Sequence, residues 1–397
     1  LKKNKYLKYY IFFFIIYFTQ GFSAIPSQNL FYLLKDSFHL TVSQIAYLGV
    51  LIHVPWVIKF VYGFISDAWP LFGYRRKSYL IICYILVLLS CLYVFYFGLT
   101  IISLIIVELI LAFAIAFSDV VTDGVACQVG QKYNISGKTQ SVQWGASSLA
   151  ALIVGLGGGL LAEYLHYRYA FLILFGFVFL SLIFFIFSYK EDKVKKSMKQ
   201  QCLASIVKAF RCKQLWISIC FLFFLWTTPG FGTALMFLQR DHLQLSKIFI
   251  GVLGSVGSAF GMIGAAIYFK MCNRVNIKKL LYYTISIGSI TTLCYLYYPN
   301  ALVALIYTAL FSITGMISHL CVMDFCVKIV PRYAEAISFA LIMSVLNLGG
   351  MFSEAIGGWL YPIVGLHCLI IISAITTAMC LIFIPFLKIK KCLTPCK

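Results

Sequence analysis

Eight ionisable side chains fall inside long apolar stretches of this chain: His53, Lys59, Glu108, Asp119, Asp123, His319, Asp324 and Glu354. A charge in a hydrocarbon layer costs about 2.5–3.5 kcal/mol even on lenient scales, so each is a functional candidate by default. Asp119 and Asp123 are four residues apart and share a helix face. Glu108 precedes Asp119 by eleven residues, close to three whole turns, and lies on much the same stripe. Three acids on one face need a cation, a proton or water. Lys59 is the only base well inside a span and is their natural partner, although its four-carbon stem also allows it to snorkel to the interface. Asp123 and Asp324 lie near the ends of their stretches, where pairing with Arg75, Arg76, Lys328 or Arg332 is the expected arrangement. His53 and His319 have no metal-ligand spacing around them and read as polar packing residues, so neither a metal nor a cofactor is expected. Glu354 reads equally well as facing a water-filled vestibule. Trp56, Trp144 and Trp226 offer faces on which a planar heterocycle would stack. No Ser/His/Asp set and no glycine-rich phosphate loop accompanies them, so an enzyme is not the expectation.

The elements that must position these residues follow from composition. Hydrophobic residues make up 62% of the 397, charged residues 11%, and the mean hydropathy is +0.95. A soluble fold cannot bury that much apolar surface, whereas a bilayer accepts it in runs of about 20 residues. Such runs span 9–34, 43–65, 78–97, 101–127, 139–163, 169–188, 214–239, 247–269, 277–297, 301–327, 335–361 and 366–387. The expected class is therefore an all-α polytopic membrane protein of about twelve transmembrane helices. The net charge of +20 is a topology signal: 27 of the 32 lysines and arginines fall on one side. Lys35, Arg168, Arg240 and Lys247 lie on the other. By the positive-inside rule both termini and the basic stretch 190–213 are cytoplasmic, in a plasma or organelle membrane. Nucleic acid is excluded as a partner on the same ground. The single glycosylation sequon, Asn134-Ile135-Ser136, falls on the cytoplasmic side and should stay unmodified. The 14 cysteines read as small packing residues, with Cys392 and Cys396 a candidate acylation tail. The first apolar run is too long for a cleavable signal peptide.

Six runs precede 190–213 and six follow, and the halves match at an offset of about 200 residues. Lys35-Asp36 pairs with Arg240-Asp241, Gly63 with Gly264, Asp123 with Asp324, and Gly157-Gly158 with Gly357-Gly358. The organisation expected is a six-helix bundle over 1–189, a basic linker over 190–213 and a second bundle over 214–397. Two parallel six-helix halves are the plan of the major facilitator superfamily, whose central site is exposed to alternate sides of the membrane. Glycines spaced four apart, such as Gly155 with Gly159 and Gly257 with Gly261, read as close helix packing.

The stretch from Val54-Pro55-Trp56 through Lys59-Phe60-Val61-Tyr62-Gly63 to Ser66-Asp67, continuing over Pro70-Leu71-Phe72-Gly73-Tyr74-Arg75-Arg76-Lys77, resembles the signature of the folate–biopterin transporter family. Ser118-Asp119-Val120-Val121-Thr122-Asp123-Gly124 is similar to it, as are Val330-Pro331 through Glu335-Ala336 and Asn347-Leu348-Gly349-Gly350. Phe60 stands where the family pattern carries a proline, and Lys77-Ser78 replaces Arg-Pro. The resemblance implies a secondary active transporter for a folate, a pterin or a related small organic solute, with protons as the candidate coupling ion. The expected substrate or coupling set is Lys59, Glu108, Asp119, Asp123, Trp144 and Asn347. The resemblance also implies a cytoplasmic gate of Asp67, Arg75, Arg76, Asp324, Arg332 and Glu335. The solute, the bilayer and protons are the expected partners, and a monomer is the expected state. The acids outnumber the lone intramembrane lysine, which suits S-adenosylmethionine, an amino sugar or a drug-like cation as well as it suits a folate. A channel would show a repeated selectivity element, and none is visible.

Overall fold

The computed structural model describes residues 4–40, 42–193, 204, 207, 209–332 and 334–387. The Cys392–Cys396 tail and most of the 190–213 linker lie outside them. The helices of the first half are α1 (Asn4–Phe22), α2 (Ser27–Tyr32), α3 (Val42–Val57), α4 (Lys59–Ala68), α5 (Lys77–Phe97), α6 (Ile101–Tyr133), α7 (Ser136–Tyr164) and α8 (Tyr167–Ser188). Those of the second are α9 (Lys213–Trp226), α10 (Gly232–Phe237), α11 (Lys247–Met271), α12 (Ile277–Cys294), α13 (Ala301–Ile329) and α14 (Glu335–Met379). Helix is what an apolar solvent demands, since every backbone N–H and C=O must find its partner within the segment.

Among the described residues eight helical stretches are long and apolar enough to cross a membrane, and nine with the bent pair α3–α4 counted as one. The stretch Glu335–Phe386, at 52 residues, is long enough for two spans, and Gly365 at φ +74° breaks the helix between them. With α12 and the broken span α9–α10 the count reaches the expected twelve. The boundary between spans four and five differs from expectation. The helix α6 runs on to Tyr133 and α7 begins at Ser136, so the polar residues 128–133 extend the helix rather than forming a loop.

The internal repeat is clearest in spans one and seven. Each runs as a helix, breaks at a proline (Pro26, Pro229), resumes for six residues as α2 or α10, and ends in a π-helical turn, Leu33–Ser37 or Leu238–His242. Those turns carry Lys35-Asp36 and Arg240-Asp241. Equivalent bonds close them, Phe38 N–H to Leu33 O and Leu243 N–H to Leu238 O, both 3.0 Å. A left-handed residue follows each, His39 at φ +51° and Gln244 at φ +50°. The glycine pairs serve the two breaks. A Cβ on Gly158 would lie 3.5 Å from Ile25 O, and one on Gly357 would lie 1.7 Å from Gly230 O, so in the second half only glycine fits. Gly63 and Gly264 both lie against backbone but against different neighbours, the start of α14 and the middle of α13.

The chain forms two compact units. The first takes in Leu1–Gln128, Val142–Ile206 and Tyr333–Leu341, the second Val129–Ser141, Val207–Arg332 and Ile342–Lys397. Each unit is thus a half of the sequence plus a short piece of the other half.

Candidate functional site

In the first unit the geometry starts from a break in span two at Ile58. Pro55 has no N–H and crowds the carbonyl of Leu51, and span two bends by 45° between Leu51–Val57 and α4. The break leaves Lys59 as the first residue of α4, at the positive end of that helix dipole, where an ammonium is disfavoured without a counter-charge. Asp119 on α6 supplies it, 2.6 Å from Lys59 Nζ, with both side chains buried. The ammonium also lies 4.3 Å above the Trp56 ring. Lys59 therefore does not snorkel.

One turn along α6, Asp123 is buried and meets none of the expected bases among the described residues. It accepts hydrogen bonds from the Tyr17 hydroxyl and, at 3.4 Å, from Gln143 Nε2. The expected pairing of Asp123 with an interfacial arginine is corrected on this point: its place is deeper, beside the Lys59–Asp119 pair. Glu108, on the same helix, lines a cavity of about 370 Å³ together with Gln20, Ser23, His53, Trp56 and Ser147. The ring Nδ1 of His53 is 2.8 Å from Gly49 O of its own helix.

At the basic end of the same unit Asp67 is fully buried and collects three donors. Arg75 donates to Oδ1, Arg76 Nη2 to the same oxygen at 2.7 Å, and the Ile337 backbone N–H to Oδ2 at 2.9 Å. Ser66 is tied in as well, donating to Arg75 O at 2.8 Å and accepting from Arg76 Nη1 at 2.5 Å. Glu335 lies 3.6 Å from Arg75. The arginines reach Asp67 because Leu71–Tyr74 closes a tight turn with φ positive at both central residues, Phe72 (+53°) and Gly73 (+85°). Glu191, just past α8, accepts the backbone N–H groups of Arg75 and Arg76, each at 3.1 Å, and of Lys77 at 2.7 Å. A carboxylate there satisfies the open N-terminus of α5 and fixes the backbone that carries both arginines. Taking away one partner of such a buried cluster costs about 3–5 kcal/mol, because the remaining charge has no solvent to turn to.

The second unit repeats this arrangement with less charge. Asp324 is fully buried and accepts from Ser136, from Tyr268 at 3.2 Å and from Lys328 at 2.7 Å. Of its expected partners Lys328 is present and Arg332 is not: Arg332 is exposed and makes no ion pair among the described residues. Gln131 donates to Val327 O and Val330 O, at 2.9 and 2.7 Å, closing the end of α13. A Cβ on Gly137 would collide with Cys272 and Tyr268, so α7 starts in close contact with the end of α11. Burial, and next the Asp324 charge, push the Cys272 thiol up to about 11. Glu354 accepts from Thr233 at 3.1 Å beside the break in span seven. Trp226 and His319 lie together, ring centres 6.1 Å apart. Trp144 is half-buried on α7 and does not line the 370 Å³ cavity, and Asn347 is exposed on α14.

Tyr17, Gln143, Ser136, Tyr268, Gln131 and Glu191 are the participants that sequence reasoning missed. Only Glu191 carried a signal, as one of two acids at the head of the most basic stretch.

The fold is that of the major facilitator superfamily. The E. coli fucose:proton symporter aligns with a TM-score of 0.74 over 96% of this chain and 99% of that one, at 14% identity. The proton:xylose symporter XylE aligns with a TM-score of 0.72 over 98% and 97%, also at 14% identity. Within that fold the chain belongs to the BT1 family, whose model matches residues 20–392. The folate-biopterin transporter of Synechocystis sp. is 28% identical, over 94% of this chain and 80% of that one. Folate transporter 1 of Plasmodium falciparum is 28% identical, over 86% and 70%, and the probable folate-biopterin transporter 4 of Arabidopsis thaliana 23% identical, over 89% and 88%.

Proposed function

We propose that this protein is a secondary active transporter, not an enzyme, that moves a folate, a pterin or a related small organic solute by alternating access with protons as the coupling ion. The observation that carries the reading is the buried set on α6. Lys59 and Asp119 neutralise each other, while among the described residues Asp123 beside them is held by hydroxyl and amide donors. A buried carboxyl in that setting is inexpensive when protonated and costly when not, so it suits a group that takes up and releases a proton. Glu108 and Trp56 meet in the cavity, where a carboxylate accepts from an N–H or O–H of the solute outside its ring and an indole lends an apolar face.

The bundles 1–189 and 214–397 are the moving parts, joined by the cytoplasmic linker 190–213, in a monomer with both termini cytoplasmic. The Asp67 cluster holds the start of α14, and the Asp324 cluster holds the start of α7. Both serve as cytoplasmic gate contacts, made when that side is closed and broken when it opens.

One observation favours a different solute. Lys59 already has its counter-charge, which leaves Glu108 without a cation among the described residues. That suits S-adenosylmethionine, an amino sugar or a drug-like cation. Uptake of a panel of labelled solutes, with folate, biopterin and these cations among them, by transport-deficient cells expressing the protein separates the readings. Saturable biopterin or folate uptake is expected, and uptake of the cations alone would reverse the choice.

A further inference from the structure

The second unit holds a cavity of its own, also about 370 Å³, between α9, α12 and α13, and no charged side chain lines it. Four threonines contribute to its wall. Thr284 donates its hydroxyl hydrogen to Leu281 O, Thr291 and Thr292 donate to Gly288 O, and Thr314 donates to Phe311 O, at 3.3, 3.0, 2.9 and 3.2 Å. With those hydrogens committed to the helices, the oxygens present lone pairs. A wall of this kind is rich in acceptors and selects a ligand rich in N–H or O–H donors.

Two further features give the space a shape. Trp226, with His319 beside it, closes one side, and Phe311 adds a second apolar face, which suits a flat ring. Gly288 and Gly315 line the cavity, and a Cβ on either would meet no atom within 4 Å. Neither glycine is required for close helix approach, and both weaken their helices. What their missing side chains provide is the space itself. The corresponding helices of the first unit, α1, α5 and α6, enclose with α8 a space of only about 10 Å³, with Tyr84 and Val87 among the side chains around it.

We infer that this cavity is a binding subsite for an uncharged, planar, donor-rich heterocycle. Resting on the solute reading above, it takes the ring of a pterin, whose ring N–H and exocyclic amino group are donors. A cation finds no counter-charge here, and a carboxylate finds no lysine or arginine.

Equilibrium binding of labelled biopterin to the purified full-length protein tests this. Gly315→Leu, whose Cβ meets no atom within 4 Å and whose side chain takes up the space, should weaken binding at least about tenfold. Gly251→Leu, at a glycine that is equally open but does not line the cavity, should stay within about twofold of wild type. Thr314→Val keeps the shape, removes one acceptor and should weaken binding about two- to tenfold, which carries the test should Gly315→Leu fail to fold. Unchanged biopterin affinity in both cavity variants overturns the subsite alone. Failure of the wild-type protein to bind biopterin overturns the pterin reading and the subsite with it.

Discussion

The two halves of this molecule share a backbone plan down to the proline break, the six-residue helix and the π turn of their first spans, yet they bury different chemistry. The first unit encloses Lys59, Asp67, Arg75, Arg76, Asp119, Asp123 and Glu335, whereas the second encloses Asp324 alone among the described charged residues. At the repeat offset Asp67 is matched by Tyr268, a charge by a hydroxyl. The cavities differ in the same sense, one with a glutamate in its wall and the other lined by threonines. Packing constraints preserve a backbone after duplication, as the close approach of Gly357 to Gly230 at the second break shows. No such constraint holds the polar side chains, so one half is free to specialise in charge and coupling and the other in recognising an uncharged surface.

The comparison is broken most completely at Lys59. Lys59→Ala leaves Asp119 buried without its cation, at a cost of about 3–5 kcal/mol. Transport should be abolished while surface abundance persists, and Lys59→Arg should retain little, since a planar fork does not replace a compact ammonium. Full transport by Lys59→Ala at normal abundance would remove the charged half from the mechanism. Asp67→Asn comes next. It should leave the protein folded and inserted but shift single-cysteine accessibility towards the state open on the basic side. Glu191→Ala should do the same more weakly, because the arginine side chains keep Asp67 and lose only the fixed backbone beneath them. Unchanged accessibility in both variants would sink the gate. In the second unit Cys272 should react slowly with thiol reagents, its thiol being buried and pushed up to about 11. Asp324→Asn removes one cause of that shift, so labelling should quicken. The smallest effect is none: Asn134→Gln should leave gel mobility unchanged with or without endoglycosidase, since Ser136 is buried against Asp324.

Much of this was legible in the residues. An apolar run long enough to cross a bilayer announces itself, and so does a lone lysine within it, which is why the Lys59–Asp119 pair could be anticipated. Lys328 was a legible partner for Asp324 because i,i+4 places them on one face. The other ties were not. Tyr17 and Asp123 are 106 residues apart, and Ser136 and Asp324 are 188 apart. Such contacts depend on how each helix is rotated, and a hydroxyl or amide costs too little in a span to stand out. Hydropathy likewise cannot see α6 continuing to Tyr133, because a helix that leaves the membrane keeps its hydrogen bonds and loses only its apolar pattern. Arg332 carries its charge near a span end, a position equally suited to water, and it is exposed.

The central claim is coupled transport through the charged half, and purified protein in sealed liposomes measures it directly. An inward proton gradient should drive labelled biopterin or folate above its external concentration. Dissipating the gradient should collapse the accumulation, and Lys59→Ala should show none. Equilibration that stops at the external concentration whatever the gradient, or uptake no greater than in protein-free liposomes, would contradict it.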